Sequence, residues 1–137
     1  MKIPGLHLVG DSGALEALPW RPTHYEGIEW LDLAAASEGA RGGDSSTGSQ
    51  TVLIRMAPGC GYPRHRHLGP EDVLVLAGGY SDEDGRTFEA GQFVRYAAGS
   101  EHSPTALGSR NESSEPCILF AVAHGGTQVV GRETPSK

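Results

Sequence analysis

"GCGYPRHRHLGPEDVLVLAGG", Gly59 to Gly79, holds two of the chain's six histidines, His65 and His67, with Arg66 between them. In a strand, successive side chains point to opposite faces. His65 and His67 therefore share a face and Arg66 takes the other. At a rise of about 3.3 Å per residue their backbones stand about 6.6 Å apart. Two imidazoles at that separation can converge on one ion through metal–nitrogen bonds of about 2.0–2.1 Å. Glu71 follows four residues later, beyond Gly69-Pro70, so alternation does not carry its direction across the break. A kink at that dipeptide would return its carboxylate to the histidine face. The plain alternative is that H-x-H is a solvated surface pair. The next run, "VLVLA" (Val73 to Ala77), is apolar on both faces and argues for a buried neighbourhood. Polar groups buried there without partners are costly, and one cation would give all three a common partner.

The rhythm around this segment is that of short strands. "TVLIRM" (51–56) and "CILFAVAH" (117–124) are apolar runs of strand length. "GQFVRY" (91–96) is a third, and "TQVVGRE" (127–133) and "GIEWLDLAAA" (27–36) are weaker ones. Asp84-Gly85, flanked by Tyr80 and Phe88, is a strong hairpin signal, because both residues tolerate the positive φ of such turns. "SEGARGGDSSTGSQ" (37–50) and "GSRNESSEP" (108–116) read as loops. The 20 glycines and 9 prolines punctuate the chain about every ten residues. Eight to ten strands at that spacing predict an all-β sandwich or barrel. A length of 137 residues predicts one domain with a core that needs no staples.

The formal charge is −6, with no basic stripe, which excludes phosphate-driven binding of nucleic acid. The longest apolar run, Ile118 to Ala123, is far short of a membrane span. The opening "MKIPGLHLVGDSG" lacks the apolar core of a signal peptide. With only Cys60 and Cys117, far apart in sequence, the expectation is a cytoplasmic protein with two free thiols. "NES" at Asn111 is then a chance match to a glycosylation acceptor.

A third imidazole, His102, completes a wider pattern. Gly59, His65, His67, Glu71 and Gly78 fit G-x5-H-x-H-x3-E-x6-G, and Gly91, Gly99 and His102 fit G-x5-P-x-G-x2-H-x3-N. The chain thereby resembles the cupin superfamily. It departs at Ala97, where proline is usual, and at Ala106, where asparagine is usual. "WRPT" (20–23), "MAPG" (56–59), "YPRHRH" (62–67) and "YSDEDG" (80–85) narrow the resemblance to the cupin domain of ChrR-type anti-sigma factors. The resemblance implies a small single-domain cupin β-barrel, a double-stranded β-helix or jelly roll. It would span 20–130, with a lead-in at 1–19 and a tail at 131–137. It also implies one divalent metal ion held by His65, His67, Glu71 and His102. Three imidazoles and a carboxylate, with no thiolate, suit Zn, Fe, Mn, Ni or Co.

Two kinds of function follow. Resemblance to cupins such as acetylacetone dioxygenase implies a dioxygenase-type oxidoreductase acting on a small organic acid or diketone. Resemblance to ChrR implies a metal or redox sensor, or a ligand-binding cupin without turnover. No H-x3-C-x2-C segment accompanies it to build the zinc-binding anti-sigma domain. A storage- or isomerase-like cupin with a structural metal is a third class. The expected partners are a small-molecule ligand and a second copy of the chain, since open barrels leave edges unpaired. Trp20 and Trp30 lie in the segment expected to meet that copy. Tyr96, on the parity of Val94, is a candidate to line the pocket. Cys60 is a candidate redox thiol, against the plainer reading of a turn residue, and Cys117 reads as core. His7, His24 and His124 fit no motif. Ser100 and Ser103 flank His102 without an acid partner for hydrolase chemistry. Asp82, Glu83 and Asp84 have the wrong spacing for calcium and read as a solvated hairpin tip.

Overall fold

The computed structural model describes residues 15–36, 49–108 and 115–130. These residues form β1 (Arg21–Pro22), β2 (Ile28–Asp32), β3 (Gln50–Met56), β4 (His65–His67), β5 (Glu71–Ala77) and β6 (Gly79–Ser81). They continue with β7 (Thr87–Glu89), β8 (Phe93–Tyr96), β9 (Glu101–His102), β10 (Thr105–Ala106), β11 (Cys117–Ala123) and β12 (Thr127–Val129). The fold is all-β, as the spacing of strands and turns predicts. A six-stranded sheet runs β1-β2-β3-β11-β5-β8, and two three-stranded sheets run β12-β4-β9 and β10-β6-β7. Every pairing is antiparallel.

The large sheet supplies the apolar core. β5 alternates buried and half-buried residues along its length, with Val73, Val75 and Ala77 inward. Leu74 and Leu76 point to the outer face and are only partly covered, so the run apolar on both faces has one deeply buried side. Met56, Val75, Cys117 and Ile118 are all fully buried. Both thiols are free, and burial pushes that of Cys117 up to about 12.

The segment 27–36 departs from a continuous strand. β2 ends at Asp32, whose Oδ1 accepts from the Ala35 amide at 3.0 Å, and Leu33–Ala36 turn into a short helix. An aspartate that caps amides of the following turn stops a strand and starts a helix. The loops at 37–48 and 109–114, together with His7, lie outside the described residues.

The Asp84-Gly85 hairpin forms where its turn chemistry places it. Tyr80 pairs with Phe88 across β6 and β7, and Gly85 takes φ +89°. The link between β4 and β5 is more consequential. Leu68-Gly69-Pro70 carries the chain from the small sheet to the large one in three residues. A Cβ on Gly69 would stand 2.0 Å from the His124 carbonyl oxygen, so only glycine allows this crossing. No helix among the described residues is long and apolar enough to cross a membrane.

Candidate metal centre

The crossing at Gly69-Pro70 assembles the site. β4 is buried at His65 and His67 and exposed at Arg66, the alternation a strand dictates. β9 pairs beside it with His102 opposite His65. Glu71, the first residue of β5, is returned to the same interior, 7% exposed, from the other sheet. One ligand atom from each of His65, His67, Glu71 and His102 lies within 4.8 Å of all the others. Nothing in the alternation of β4 foretells Glu71; the sheet crossing does.

Each imidazole is held at Nδ1. His65 Nδ1 lies 3.0 Å from the Pro63 carbonyl, and His102 Nδ1 lies 2.8 Å from Asp82 Oδ1. His67 Nδ1 lies 3.1 Å from the Ser100 carbonyl and 3.0 Å from its Oγ. The carbonyls and the carboxylate only accept, and Ser100 Oγ donates its own proton to the Ala97 carbonyl at 2.6 Å. Nδ1 is therefore the protonated nitrogen on every ring, and Nε2 keeps its lone pair. Nε2 of His67 and of His102 are buried with no hydrogen-bond partner. His67 Nε2 comes within 2.8 Å of Glu71 Oε1 without the alignment of a hydrogen bond. Orphaned, buried lone pairs beside a buried carboxylate are what a cation would satisfy. The residues fit a metal ion, which His65, His67, Glu71 and His102 could hold. Burial also pushes the His65 imidazole down to about 4, keeping it neutral and able to ligate at neutral pH.

His65, Glu71 and His102 are among the residues that line a cavity of about 40 Å³. Val52, Ile54, Met56 and Leu119 of the large sheet line it as well, with Gln50 and Thr127 as polar members. Trp30 and Tyr62 also line it, and their rings stack with centroids 6.4 Å apart. Tyr62 meets His65 edge-on at 5.1 Å. Burial, with the nearby Tyr25 and Glu71, pushes its phenol up to about 12, so it stays a donor.

Tyr96 stands behind the imidazoles. Its ring stacks on His67 at 5.1 Å and lies 4.1 Å from His102. His124 is half-exposed beside Asp72, 3.5 Å away. His24 and Cys60 line a groove outside the cavity, with Tyr25 and Gly61.

Two residues carry roles that a reading of motifs misses. Ser100 holds His67, and Asp82 holds His102. The tip of the β6–β7 hairpin is solvated at Glu83 and Asp84, but Asp82 is 5% exposed and faces inward. Alternation from buried Tyr80 through Ser81 was the available signal, since it puts Asp82 on the inner face.

A family described as the ChrR cupin-like domain matches residues 11–125. The chain belongs to that family. Among solved structures, a chain of the Rhodobacter sphaeroides SigE complex with the anti-sigma ChrR is 28% identical, with TM-score 0.60. That match covers 80% of this chain and 50% of the other. An RmlC-like cupin protein from Ralstonia eutropha matches at 21% identity and TM-score 0.63, over 78% of this chain and 63% of its own. An acetylacetone dioxygenase from Acinetobacter johnsonii matches at 16% identity and TM-score 0.58, over 90% and 77%. The last two report on the fold alone, which is the cupin fold. This chain spans about half of the ChrR-complex chain it matches. No curated protein matches the sequence.

Proposed function

We propose that this ChrR-like cupin is a metal-dependent oxidoreductase of dioxygenase type, acting on a small organic acid or diketone. The observation that carries the reading is that His65, Glu71 and His102 line the same cavity as Val52, Ile54, Met56 and Leu119. Bound there, a divalent ion would supply Lewis acidity and a template for a chelating anion. The chain's own residues do the rest. Val52, Ile54 and Leu119 take the ligand's carbon body and keep water out. Trp30 Nε1 is buried with no partner and offers a donor to a ligand oxygen. Tyr62, protonated at neutral pH, offers a second. The acetylacetone dioxygenase shares this fold at 16% identity, consistent with such chemistry on it. Oxygen uptake by Fe(II)-loaded protein across β-diketones, 2-oxo acids and catechols is the test. Uptake with one class, abolished in Glu71→Ala, is expected; no uptake with any, by protein shown to carry iron, overturns the reading.

A metal or redox sensor is the second reading, favoured by the 28% identity to a chain of the ChrR complex. It predicts metal release by peroxide that Cys60→Ser abolishes. We also propose a homodimer. β8 and β12 end their sheets, and Val129 on β12 is an exposed hydrophobic residue. Trp20 is occupied within its own chain, under the Arg55 guanidinium at 5.2 Å. Light scattering distinguishes a dimer from the 14.4 kDa monomer.

A further inference from the structure

Asp82 is a buried carboxylate with no lysine or arginine among its hydrogen-bond partners, and such a group needs specific donors. The hairpin turn does not account for it. The turn is closed by main-chain groups, Asp82 N to Arg86 O and Gly85 N to Asp82 O, each at 2.9 Å. The side chain that caps the turn belongs to Asp84, which accepts from the Arg86 amide at 3.0 Å. Both Asp82 oxygens are directed elsewhere. Oδ1 lies 2.8 Å from His102 Nδ1, and Oδ2 accepts from the Tyr96 hydroxyl at 2.9 Å. Tyr96 and Tyr80 share a third contact, hydroxyl to hydroxyl, at 2.6 Å.

The direction of these bonds is determined by what each group can do. Asp82 only accepts, so His102 donates from Nδ1 and Tyr96 donates its one proton. The Tyr96 oxygen then accepts, and Tyr80 donates to it. All four groups are buried, so water does not compete for them. The chain ends at Tyr80, which lines the cavity.

We propose that Asp82 is a positioning residue. Held by Tyr96 and Tyr80, it locks His102 in the Nδ1–H tautomer and aims its Nε2 at the site formed with His65, His67 and Glu71. It acts by geometry and as an acceptor, with no change in its own protonation. A carboxylate behind a ligating imidazole also raises the basicity of the coordinating nitrogen, and losing such a partner typically lowers metal affinity about 10–100-fold. The inference rests on the metal reading of the site, so its test has one arm that needs no metal.

In metal-free full-length protein, nitrogen-15 NMR should find His102 protonated at Nδ1 and bare at Nε2. In Asp82→Ala the ring should become a mixture of tautomers. The second arm is Co(II) binding followed by visible absorption, with zinc competition. Asp82→Ala should weaken it about 10–100-fold. Asp82→Asn keeps an acceptor for Nδ1–H and should lose less. Tyr96→Phe leaves the Asp82–His102 bond but frees the other oxygen, and should lose a few-fold. Glu83→Gln, next in sequence but outside the chain of bonds, should bind as wild type does. An Nε2–H tautomer in the wild-type protein overturns the proposal. So does Co(II) affinity within twofold of wild type in Asp82→Ala. Where that variant fails to fold, unchanged affinity in both Asp82→Asn and Tyr96→Phe overturns it equally. If wild-type protein binds no Co(II), the metal reading fails, and the tautomer arm still decides what Asp82 does.

Discussion

The large sheet and the small sheet that carries the histidines are built on opposite principles. β3, β5 and β11 are seven residues each and bury mainly aliphatic side chains, in strict alternation along β5. β4 and β9 are three and two residues long and bury three imidazoles. The large sheet gains from water leaving apolar surface, which is non-directional and indifferent to protonation. The small sheet gains nothing comparable. Each buried ring needs its own acceptor, from Pro63, Ser100 or Asp82, and His67 and His102 still leave an Nε2 to be satisfied. One region should therefore be stable on its own terms. The other should depend on metal and on pH.

The sharpest way to break that contrast is a cavity in the large sheet. Ile118 is 0% exposed on β11, between β3 and β5. Ile118→Ala should cost about 4 kcal/mol, within the usual range for a fully buried aliphatic residue. The cost should be the same in urea titrations with and without saturating zinc. A cost that differs by more than about 1 kcal/mol between the two would show that the sheets are not energetically separate.

The next effect belongs to pH and to the small sheet. Desolvation holds the His65 imidazole down at about 4, below its ordinary 6.5. Above pH 6.5 the ring is neutral in both folded and unfolded chains, and stability does not change with pH. Between 6.5 and about 4 the unfolded chain binds a proton that the folded chain refuses. Metal-free protein should therefore lose stability as pH falls through that window, by about 3 kcal/mol from this one residue. His65→Asn should flatten the profile there. A profile equally steep in the variant would assign the loss to other groups.

Metal should reverse the dependence. An ion bound only by the folded chain stabilises it by about 2.7 kcal/mol at one hundred times its dissociation constant. His67→Ala, which removes the most buried of the four donors, should abolish that increment in thermal melts while changing the metal-free melt much less. An increment that survives intact would place the ion elsewhere.

The same contrast explains what the sequence discloses. Apolar runs of strand length and glycine turns are local signals, so β3, β5, β11 and the Asp84-Gly85 hairpin are legible from a few residues each. His65 and His67 are legible because their parity is intrinsic to a strand. Glu71 is not, because its direction depends on a sheet crossing at Gly69, whose missing Cβ leaves room for the distant His124 carbonyl. Family spacing supplies it instead. Asp82 and Ser100 are harder still. Locally, Asp82 is one of three acidic residues at a turn. It differs from Asp84 only in which side of the hairpin it faces, and its partners lie 14 and 20 residues away.

The smallest expected effect tests whether nearness to the site confers any role in it. Glu101 precedes His102 in β9 and sits one residue from a proposed ligand. Alternation turns it outward, where it accepts from Arg66 at 2.8 Å and from Arg64 at 3.1 Å. Those two guanidinium groups, Arg66 before Arg64, hold its carboxyl below the usual range. Such a group adds stability above the ordinary carboxylate pKa and loses it as pH falls through the depressed folded value, so its window lies at the acid end, below that of His65. Both arginines are about half exposed, and exposed pairs are heavily screened by solvent and salt. Glu101→Gln should melt close to wild type, with any difference shrinking further in high salt, and should bind Co(II) as wild type does. Asp82 is far from His102 in sequence and touches it; Glu101 is adjacent in sequence and faces away. If Glu101→Gln weakened the metal as much as Asp82→Ala, the charge around β9 rather than the hydrogen bond to Nδ1 would govern the site.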